Sequence, residues 1–286
     1  MAKLCDDQPE HSLLLKWSRS SSDAMGSKPK PRSSSPPGRL IDIGGLQLHV
    51  LSMGKGSPTV LFESGGGQTT DAWRLVQPEV ARFTRACSYD RAGLGWSEPS
   101  PEPRNSQAIV KELRALLTGA EIEGPYVLVA HSVAGLNVRL FAAQHPEEVV
   151  GMVLIDSIHE DHYLRIPPLM GQKAHDDMVR LQSTPEAMNI PEDILESIRQ
   201  VRAAPPMPHI PLAVISGGRG DLAALGSPWD QLEKVWTEHQ TKLAQLVPGA
   251  RHIVDEKSGH QPHLENPQLV VETVREIVEA ARRSGC

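Results

Sequence analysis

The chain of 286 residues has few cysteines, few aromatic side chains and no long apolar run. Its three cysteines are Cys5, Cys87 and Cys286, and no two of them form a CxxC pair. An odd number of widely spaced cysteines argues against a disulfide framework and favours a reducing compartment, so we expect a cytoplasmic protein. No apolar run approaches the roughly 18 residues that a membrane-spanning helix needs, and we expect no membrane span.

The chain also has only a small excess of charge of one sign, with a formal net charge of -6 at pH 7. This balance indicates no basic surface for nucleic acid or for an anionic membrane, so we expect neither as a partner. Hydrophobic residues make up 39% of the chain and charged residues 22%, which is ordinary for a globular protein. A chain of this length buries a sizeable core as one large domain.

Residues 1–38 differ in composition from the rest of the chain. They are rich in serine, proline and lysine and contain few side chains that could pack, which predicts a disordered tail. Met25 within this stretch is a second possible start, and the sequence leaves both starts open. The remaining residues, 39–286, are predicted to form the folded domain.

From Gly38 onwards, short apolar runs alternate with helical patterns. The first two runs flank Gly44 and Gly45, which is a hairpin signal. The later runs are those of strands covered on both faces, and they are PTVLFE, RACSYD, YVLVA, VVGMVLID, PLAVIS and the shorter ARHIVDE. Helical patterns lie between them, over residues 106–117, 134–144, 230–246 and 267–281. This alternation predicts an α/β fold in which helices cover both faces of a mostly parallel sheet.

Residues 157–210 break the alternation, because they contain no convincing strand, several prolines and two helical patterns. One pattern places Ile190, Ile194, Ile198 and Val201 on a common face. We therefore predict a small helical cap inserted over one end of the sheet. Its apolar side chains are aliphatic and indicate a medium-sized apolar substrate group; they are Leu164, Ile166, Leu169, Met170 and Met188.

The stretch VLVAHSVAGL leaves no room for a loop between a strand and a helix. Ser132 lies on this turn, where a sharp bend exposes a serine side chain above the carboxyl end of the sheet. The positions two before and two after it must be small, because strand and helix crowd there, and they are Ala130 and Ala134. Ser132 is therefore the candidate nucleophile, although a structural serine also fits this short pattern.

A serine hydroxyl needs a base that takes its proton and a third group that orients the base. His260 follows the run ARHIVDE and a Ser-Gly turn, where a late loop can bring it to the serine. The nearby His263 enters a helix start, where capping or packing is the expected role. For the oxyanion we expect backbone N–H donors from Val133 and from Gly66 in the turn FESGGG.

Together these residues resemble the α/β-hydrolase superfamily, in its serine-nucleophile branch of esterase-like and lipase-like enzymes. FESGGG is similar to the family's His-Gly oxyanion motif, with Ser64 in place of the histidine. YDRAGLGWSEP resembles its DRPGxGxS loop, AHSVAG its GHSxGG turn, and SGHQPHLENP its GHxxHxExP segment. The resemblance covers nearly all of the chain after the tail. It implies an eight-stranded sheet, a triad in the order serine, acid, histidine, and neither metal nor organic cofactor.

The acid of the triad stays open between two aspartates. Asp221, in SGGRGD after the run PLAVIS, is in the family's usual place but lies far from His260 in the sequence. Asp156, at the end of VVGMVLID, is the other place that the family uses, and a rigid strand end holds an imidazole better than a glycine-rich loop. We favour Asp156 and keep Asp221 as the alternative. Asp230 is expected to cap a helix.

Three further groups are given structural roles. Residues 159–162, His-Glu-Asp-His, are metal-ligand types, but they are adjacent and lack a second cluster of fitting spacing, so we expect a solvated cap entrance. Asp90 and Arg91 are expected to pair with each other below the site. Trp73 and Trp96 are expected to pack around the oxyanion turn, or to wall the acyl pocket.

The sequence thus predicts a serine hydrolase of the carboxylesterase type, without cofactor or metal. It would cleave a carboxylic ester of a small, partly apolar molecule through an acyl-enzyme on Ser132. Peptidase, lactonase and carbon–carbon-bond hydrolase activities are the alternatives within the family, and a hydrolase-like binding protein without turnover is the alternative outside enzymes. Epoxide hydrolases and haloalkane dehalogenases use an aspartate nucleophile, against which the serine argues. The sequence makes no prediction of oligomeric state.

Overall fold

The computed structural model describes residues 35–165, 169, 192–221, 223–225 and 227–284. The contacts within the chain define two units, residues 1–36 and residues 37–286. All secondary structure given below belongs to the second unit. Most of the predicted tail, with Met25, lies outside the described residues. So does the middle of the predicted cap, with Ile166, Met170, Met188 and Ile190. The extents of tail and cap stay predictions.

Eight strands form one open sheet. The strand order is β1-β2-β4-β3-β5-β6-β7-β8; β2 pairs antiparallel with β1 and β4, and all other pairs are parallel. The predicted mostly parallel, eight-stranded sheet is confirmed, including the hairpin between β1 and β2. The strands are β1 (Arg39–Asp42), β2 (Gln47–Met53), β3 (Thr59–Glu63), β4 (Ala86–Tyr89), β5 (Tyr126–His131), β6 (Val149–Ile155), β7 (Leu212–Gly217) and β8 (Arg251–Asp255).

Helices lie between the strands, together with 3-10 turns at Thr70–Trp73 and Ala223–Leu225. In the described part of the chain, no helix is both long and apolar enough to cross a membrane. The helices are α1 (Gln77–Val80), α2 (Ser106–Gly119), α3 (Ala134–Gln144), α4 (His162–Arg165), α5 (Ile194–Ala203), α6 (Trp229–Leu243), α7 (Pro262–Glu265) and α8 (Pro267–Ser284).

The sheet has a packed core on each face. In β5, Leu128 and Ala130 enter the core that includes α2 and α3, whereas Val127 and Val129 enter the core that includes α8. Successive side chains of a strand point to opposite faces, so a strand covered on both faces must be apolar throughout. This explains why β5 has a continuous apolar sequence, and it confirms that helices cover both faces.

Helix α5 contains the three described residues of the predicted cap pattern, Ile194, Ile198 and Val201. Its Ile194 and Ile198 are buried in a small cluster with Val133, which directly follows Ser132. Its N-terminus is capped by Asp193, whose Oδ1 accepts a hydrogen bond from the N–H of Glu196 at 2.9 Å. The described end of the predicted insertion therefore packs directly on the turn that carries Ser132.

The expectation that Asp230 caps a helix is wrong. The N-cap of α6 is Pro228, which makes no side-chain hydrogen bond, and Asp230 lies inside the first turn. Its carboxylate lies 3.7 Å from Nζ of Lys234. A carboxylate in the first turn still interacts favourably with the helix dipole, so it is suited to this position without being the cap.

Candidate active site

Ser132 lies on the turn between β5 and α3. Its φ angle is +56°, in the left-handed region that strains a residue with a side chain. Its N–H donates to the carbonyl of Ile155 at 3.0 Å, and its own carbonyl accepts from the N–H of Ile158 at 3.1 Å. These bonds fix the strained turn to the end of β6. Ala130 and Ala134 are fully buried beside it, as the expected crowding requires.

The ring of His260, from the loop between β8 and α7, lies between Ser132 and Asp156. Its Nε2 is 3.1 Å from Oγ of Ser132, and its Nδ1 is 2.6 Å from Oδ2 of Asp156. The side chain of His260 is 35% exposed and that of Asp156 only 5%. The structure thus brings three sequence-predicted residues into one hydrogen-bonded chain, with the imidazole accessible and the carboxylate buried.

Asp156 directly follows β6 and has a φ angle of +44°. Its Oδ1 accepts hydrogen bonds from the N–H of Gly217 at 3.2 Å and from Nε1 of Trp236 at 2.9 Å. With His260 on the other oxygen, the carboxylate has three partners, which compensate for the loss of water around a buried charge. Sequence reasoning missed Trp236, because a tryptophan on a partly apolar helix is equally typical of core packing.

Asp221 belongs to a different ion-pair network. Each of its carboxylate oxygens lies 2.7 Å from a nitrogen of Arg219, which also pairs with Glu265. Its side chain is 52% exposed, and among the described residues no hydrogen bond joins it to His260. The geometry therefore favours Asp156 over Asp221 as the group that orients the imidazole.

The two candidate oxyanion donors are Gly66 and Val133. Gly66 is buried in the turn after β3, and Val133 directly follows the serine. Among the hydrogen bonds of the described residues, none is donated by the backbone N–H of either. The turn is held by Ser64, whose Oγ donates to the carbonyl of Thr69 and accepts from Nε1 of Trp73, both at 3.0 Å. The expected packing of Trp73 at this turn is therefore observed.

Arg91 anchors the same turn from inside the protein. Its guanidinium donates to the carbonyls of Ser64 and Gly65, and it lies 3.0 Å from Oε1 of Glu63 and 2.6 Å from Oε1 of Glu192. Burial lowers the pKa of Arg91, but Glu192 and Glu63 outweigh that effect and raise the pKa overall. The turn, the end of β3 and the C-terminal part of the predicted cap thus share one buried cation.

Asp90 and Arg91 do not pair with each other, contrary to the expectation. Oδ2 of Asp90 lies 2.9 Å from Nδ1 of His49 and accepts from the N–H of Trp96 at 3.0 Å. Consecutive side chains of an extended chain point in opposite directions, so the two residues reach different neighbours. Trp96 lines a groove of about 290 Å³ beside Trp73, and its contact with an acyl group stays a prediction.

Two buried histidines support the loop that carries His260. Nε2 of His131 donates to the carbonyl of His260 at 2.7 Å, and the rings of His131 and His263 lie 4.4 Å apart. Burial, with help from neighbouring rings, lowers the pKa of His131 well below its ordinary range and that of His263 to about 3. Both rings are therefore neutral at pH 7. His263 also packs on Trp73, in agreement with its expected packing role.

The predicted cap entrance, residues 159–162, is less solvated than expected. The ring of His159 is buried and stacks on that of His239 from α6, with the centroids 5.0 Å apart. Asp161 lies 2.9 Å from Nζ of Lys242, also from α6. The expectation of a solvated segment is wrong for His159, which α6 covers, whereas residues 160–162 are partly buried. Sequence spacing does not show which helix lies over which segment.

Among the described residues, the group whose ligand atoms converge to within 4.8 Å of one another is His145, Glu147 and Glu148. Arg114 already occupies this surface position, with its guanidinium 3.1 Å from Nδ1 of His145 and 2.6 Å from Oε1 of Glu148. A fixed positive charge repels a metal cation at such distances. We therefore assign no metal to this group.

A family model described as the alpha/beta hydrolase fold matches residues 58–182. The uncharacterised protein YqjL of Bacillus subtilis is 28% identical over 236 residues, which are 81% of this chain and 88% of that protein. A 2-hydroxymuconate semialdehyde hydrolase of a Pseudomonas species is 35% identical over 130 residues, 44% of this chain and 46% of the hydrolase. Several other curated relatives are also matched over less than half of their own length.

Solved structures share the fold. A thermophilic esterase from Thermogutta terrifontis, with malate bound, superposes with a TM-score of 0.59 at 19% sequence identity. The match covers 85% of this chain and 98% of the esterase. At this identity the likeness shows the fold, which agrees with the strand order described above.

Proposed function

We propose that the chain, which has the fold of the α/β-hydrolase superfamily, is a serine hydrolase of the carboxylesterase type. The observation that carries this proposal is the hydrogen-bonded chain from Ser132 through His260 to Asp156, at 3.1 and 2.6 Å. This is the arrangement in which a base activates a serine and an acid orients the base. The chemistry needs no cofactor and no metal.

In the proposed reaction, Nε2 of His260 takes the proton of Ser132 as its Oγ attacks the ester carbonyl carbon. The N–H groups of Gly66 and Val133 stabilise the oxyanion, and Asp156 stabilises the imidazolium. His260 then gives its proton to the departing alcohol, which leaves the acyl group on Ser132. Water, deprotonated by His260, attacks the acyl group; the proton returns to the serine oxygen and the carboxylic acid is released.

The substrate is proposed to be small and partly apolar. The apolar cluster of Val133, Ile158 and Ile198 lies next to the nucleophile and supports this class. An ester is favoured over an amide, because its leaving group needs less help from an acid. Carbon–carbon-bond hydrolysis is the second candidate, and the similarity to the 2-hydroxymuconate semialdehyde hydrolase favours it. The buried free thiol of Cys87 is consistent with the cytoplasmic location that we propose.

A fluorophosphonate probe tests the nucleophile directly. We expect the probe to label Ser132, as mapped by mass spectrometry, and the label to be absent from Ser132→Ala. Folded wild-type protein that takes up no label would contradict the proposal and favour the ligand-binding alternative. Stoichiometric capture of a ligand without turnover would then be the property to measure.

Asp156→Asn and Asp221→Asn form a matched pair that identifies the acid. With p-nitrophenyl butyrate as substrate, kcat is expected to fall about 10³- to 10⁴-fold in Asp156→Asn, because the imidazole loses its orienting carboxylate. In Asp221→Asn, kcat is expected to stay close to that of the wild type, because Asp221 is paired with Arg219. The reverse pattern would assign the acid to Asp221.

A further inference from the structure

Trp236 contacts both groups that would activate Ser132, yet the proposed mechanism does not use it. Its Nε1 donates to Oδ1 of Asp156 at 2.9 Å, on the carboxylate oxygen opposite the one that faces His260. Its ring also meets that of His260 edge to face, with the centroids 5.6 Å apart and the planes at 75°. One side chain of α6 thus constrains both the acid and the base.

The rotational freedom of a carboxylate explains why such a donor matters. A carboxylate rotates easily about its last torsion angle, so Oδ2 of Asp156 points at the imidazole only if Oδ1 is also held. Two groups hold Oδ1, the backbone N–H of Gly217 at 3.2 Å and the indole N–H of Trp236 at 2.9 Å. The indole makes the shorter bond and comes from a helix rather than from a neighbouring strand.

Trp236 is itself fixed by packing. Its ring lies edge to face with that of His162, with the centroids 5.1 Å apart. It also packs against the apolar cluster that contains Val133 and Ile198, beside the nucleophile turn. A donor held on two sides has a defined direction, which is what a group that orients another group requires.

We propose that Trp236 is a positioning residue, which fixes the carboxylate of Asp156 and through it the imidazole of His260. This inference rests on the proposed function, in which His260 activates Ser132. Trp236 acts by restricting the orientation of these groups before the substrate binds. Small misplacements of catalytic groups reduce rates strongly, so loss of the indole N–H lowers the rate of attack rather than substrate binding.

Trp236→Phe removes the N–H and keeps an aromatic ring, and Trp229→Phe in the first turn of the same helix is the matched control. In Trp236→Phe we expect fluorophosphonate labelling of Ser132 and kcat for p-nitrophenyl butyrate to fall about tenfold each, with KM nearly unchanged. In Trp229→Phe both rates stay at the wild-type value. Unchanged rates in folded Trp236→Phe would overturn the inference.

A second variant covers the case in which Trp236→Phe does not fold. β-(3-Benzothienyl)alanine at position 236 has nearly the shape of tryptophan but carries sulfur in place of the N–H. The same tenfold loss is expected from this isostere, because only the hydrogen bond is removed. Wild-type rates with the isostere would overturn the inference.

A double-mutant cycle separates positioning from general stabilisation. In an Asp156→Ala background, Trp236 has no carboxylate to orient, so Trp236→Phe is expected to have no further effect on the residual rate. A merely structural role would lower the residual rate by the same factor as in the wild type. Additive losses would therefore overturn the inference.

One readout does not require catalysis. The Nδ1–H proton of His260, on its 2.6 Å contact with Asp156, is expected at low field in the proton NMR spectrum. Trp236→Phe is expected to shift or broaden this signal, and Trp229→Phe to leave it in place; an unchanged signal in Trp236→Phe would overturn the inference. Wild-type protein that is not labelled by the probe, but whose signal responds to Trp236→Phe, would contradict the proposed function alone.

Discussion

Arg91 joins three parts of the chain through a single guanidinium. It pairs with Glu63 at the end of β3, donates to carbonyls of the turn that contains Gly66, and pairs with Glu192 in the C-terminal part of the predicted cap. A buried ion pair adds little net stability over well-packed apolar residues. Loss of one partner is costly, however, because it leaves the other charges buried and unpaired.

Arg91→Met is therefore expected to lower the free energy of unfolding by about 3 to 5 kcal/mol. The matched control is Arg82→Met, which removes a surface pair with Glu79 whose side chains are 74% and 41% exposed. That change is expected to cost less than about 1 kcal/mol. Urea unfolding measures both values. Similar losses in the two variants would show that the buried network does not hold the fold.

At the level of elements, the loop that carries His260 packs directly on the end of β7. The N–H groups of Gly218 and Arg219 both donate to the carbonyl of Ser258 at 3.1 Å. An added Cβ at Gly217 would come 2.1 Å from the carbonyl oxygen of Gly259, which is backbone and cannot swing aside. Glycine is therefore required at 217 by the close approach of two backbone segments.

Gly217→Ala and Gly218→Ala test this contact as neighbouring variants. Gly217→Ala should push the histidine loop away and reduce kcat/KM for p-nitrophenyl butyrate at least about tenfold. A Cβ at Gly218 would meet the side chains of Val254 and Glu256, which can move, so its effect should be much smaller. Steady-state kinetics, with thermal melting as a check of folding, distinguish the two. Equal losses would mean that the loop does not depend on this contact.

The sequence was sufficient to predict the strands, the long helices and the meeting of Ser132 with His260. It narrowed the acid only to Asp156 or Asp221, because both follow parallel strands that end at the same edge of the sheet. Trp236 and Glu192 lie 80 and 101 residues from their partners. Such contacts depend on how a helix or an insertion is oriented over the sheet, and residue spacing does not contain that information.

Across the whole molecule, burial keeps several histidines neutral. It lowers the pKa of His162 and His263 to about 3 and that of His239 to about 4. In the unfolded chain the same groups titrate near pH 6.5. The unfolded state then binds protons that the folded state excludes, so the free energy of unfolding falls as the pH drops. At His49 burial also lowers the pKa and is the largest single effect. The hydrogen bonds with Asp90 and with the carbonyl of Pro37, together with the charge of Asp90, outweigh it and raise the pKa overall, which gives the opposite sign.

We expect the protein to be less stable at pH 5 than at pH 7. For His263 the stabilisation is complete above pH 6.5 and is lost from there towards pH 3, by about 1.4 kcal/mol per pH unit. His263→Phe should reduce the slope of the unfolding free energy against pH, because unfolding of the variant takes up about one proton fewer. Urea unfolding at pH 5, 6 and 7 measures this slope; an unchanged slope in the variant would contradict the assignment. Glu160, whose pKa is lowered to about 2, stabilises the folded state at neutral pH, and this stabilisation is lost only in more acidic solution.

The pairing of Arg91 with Glu192 limits how this protein can be recombined with its relatives. The predicted cap, residues 157–210, is not a self-contained cassette, because its Glu192 supplies a carboxylate to a cation that also holds the turn that contains Gly66. A chimera that takes a foreign cap therefore needs its second crossover point before Glu192. If the crossover lies later, the donor segment must bring an acidic residue of its own to that position.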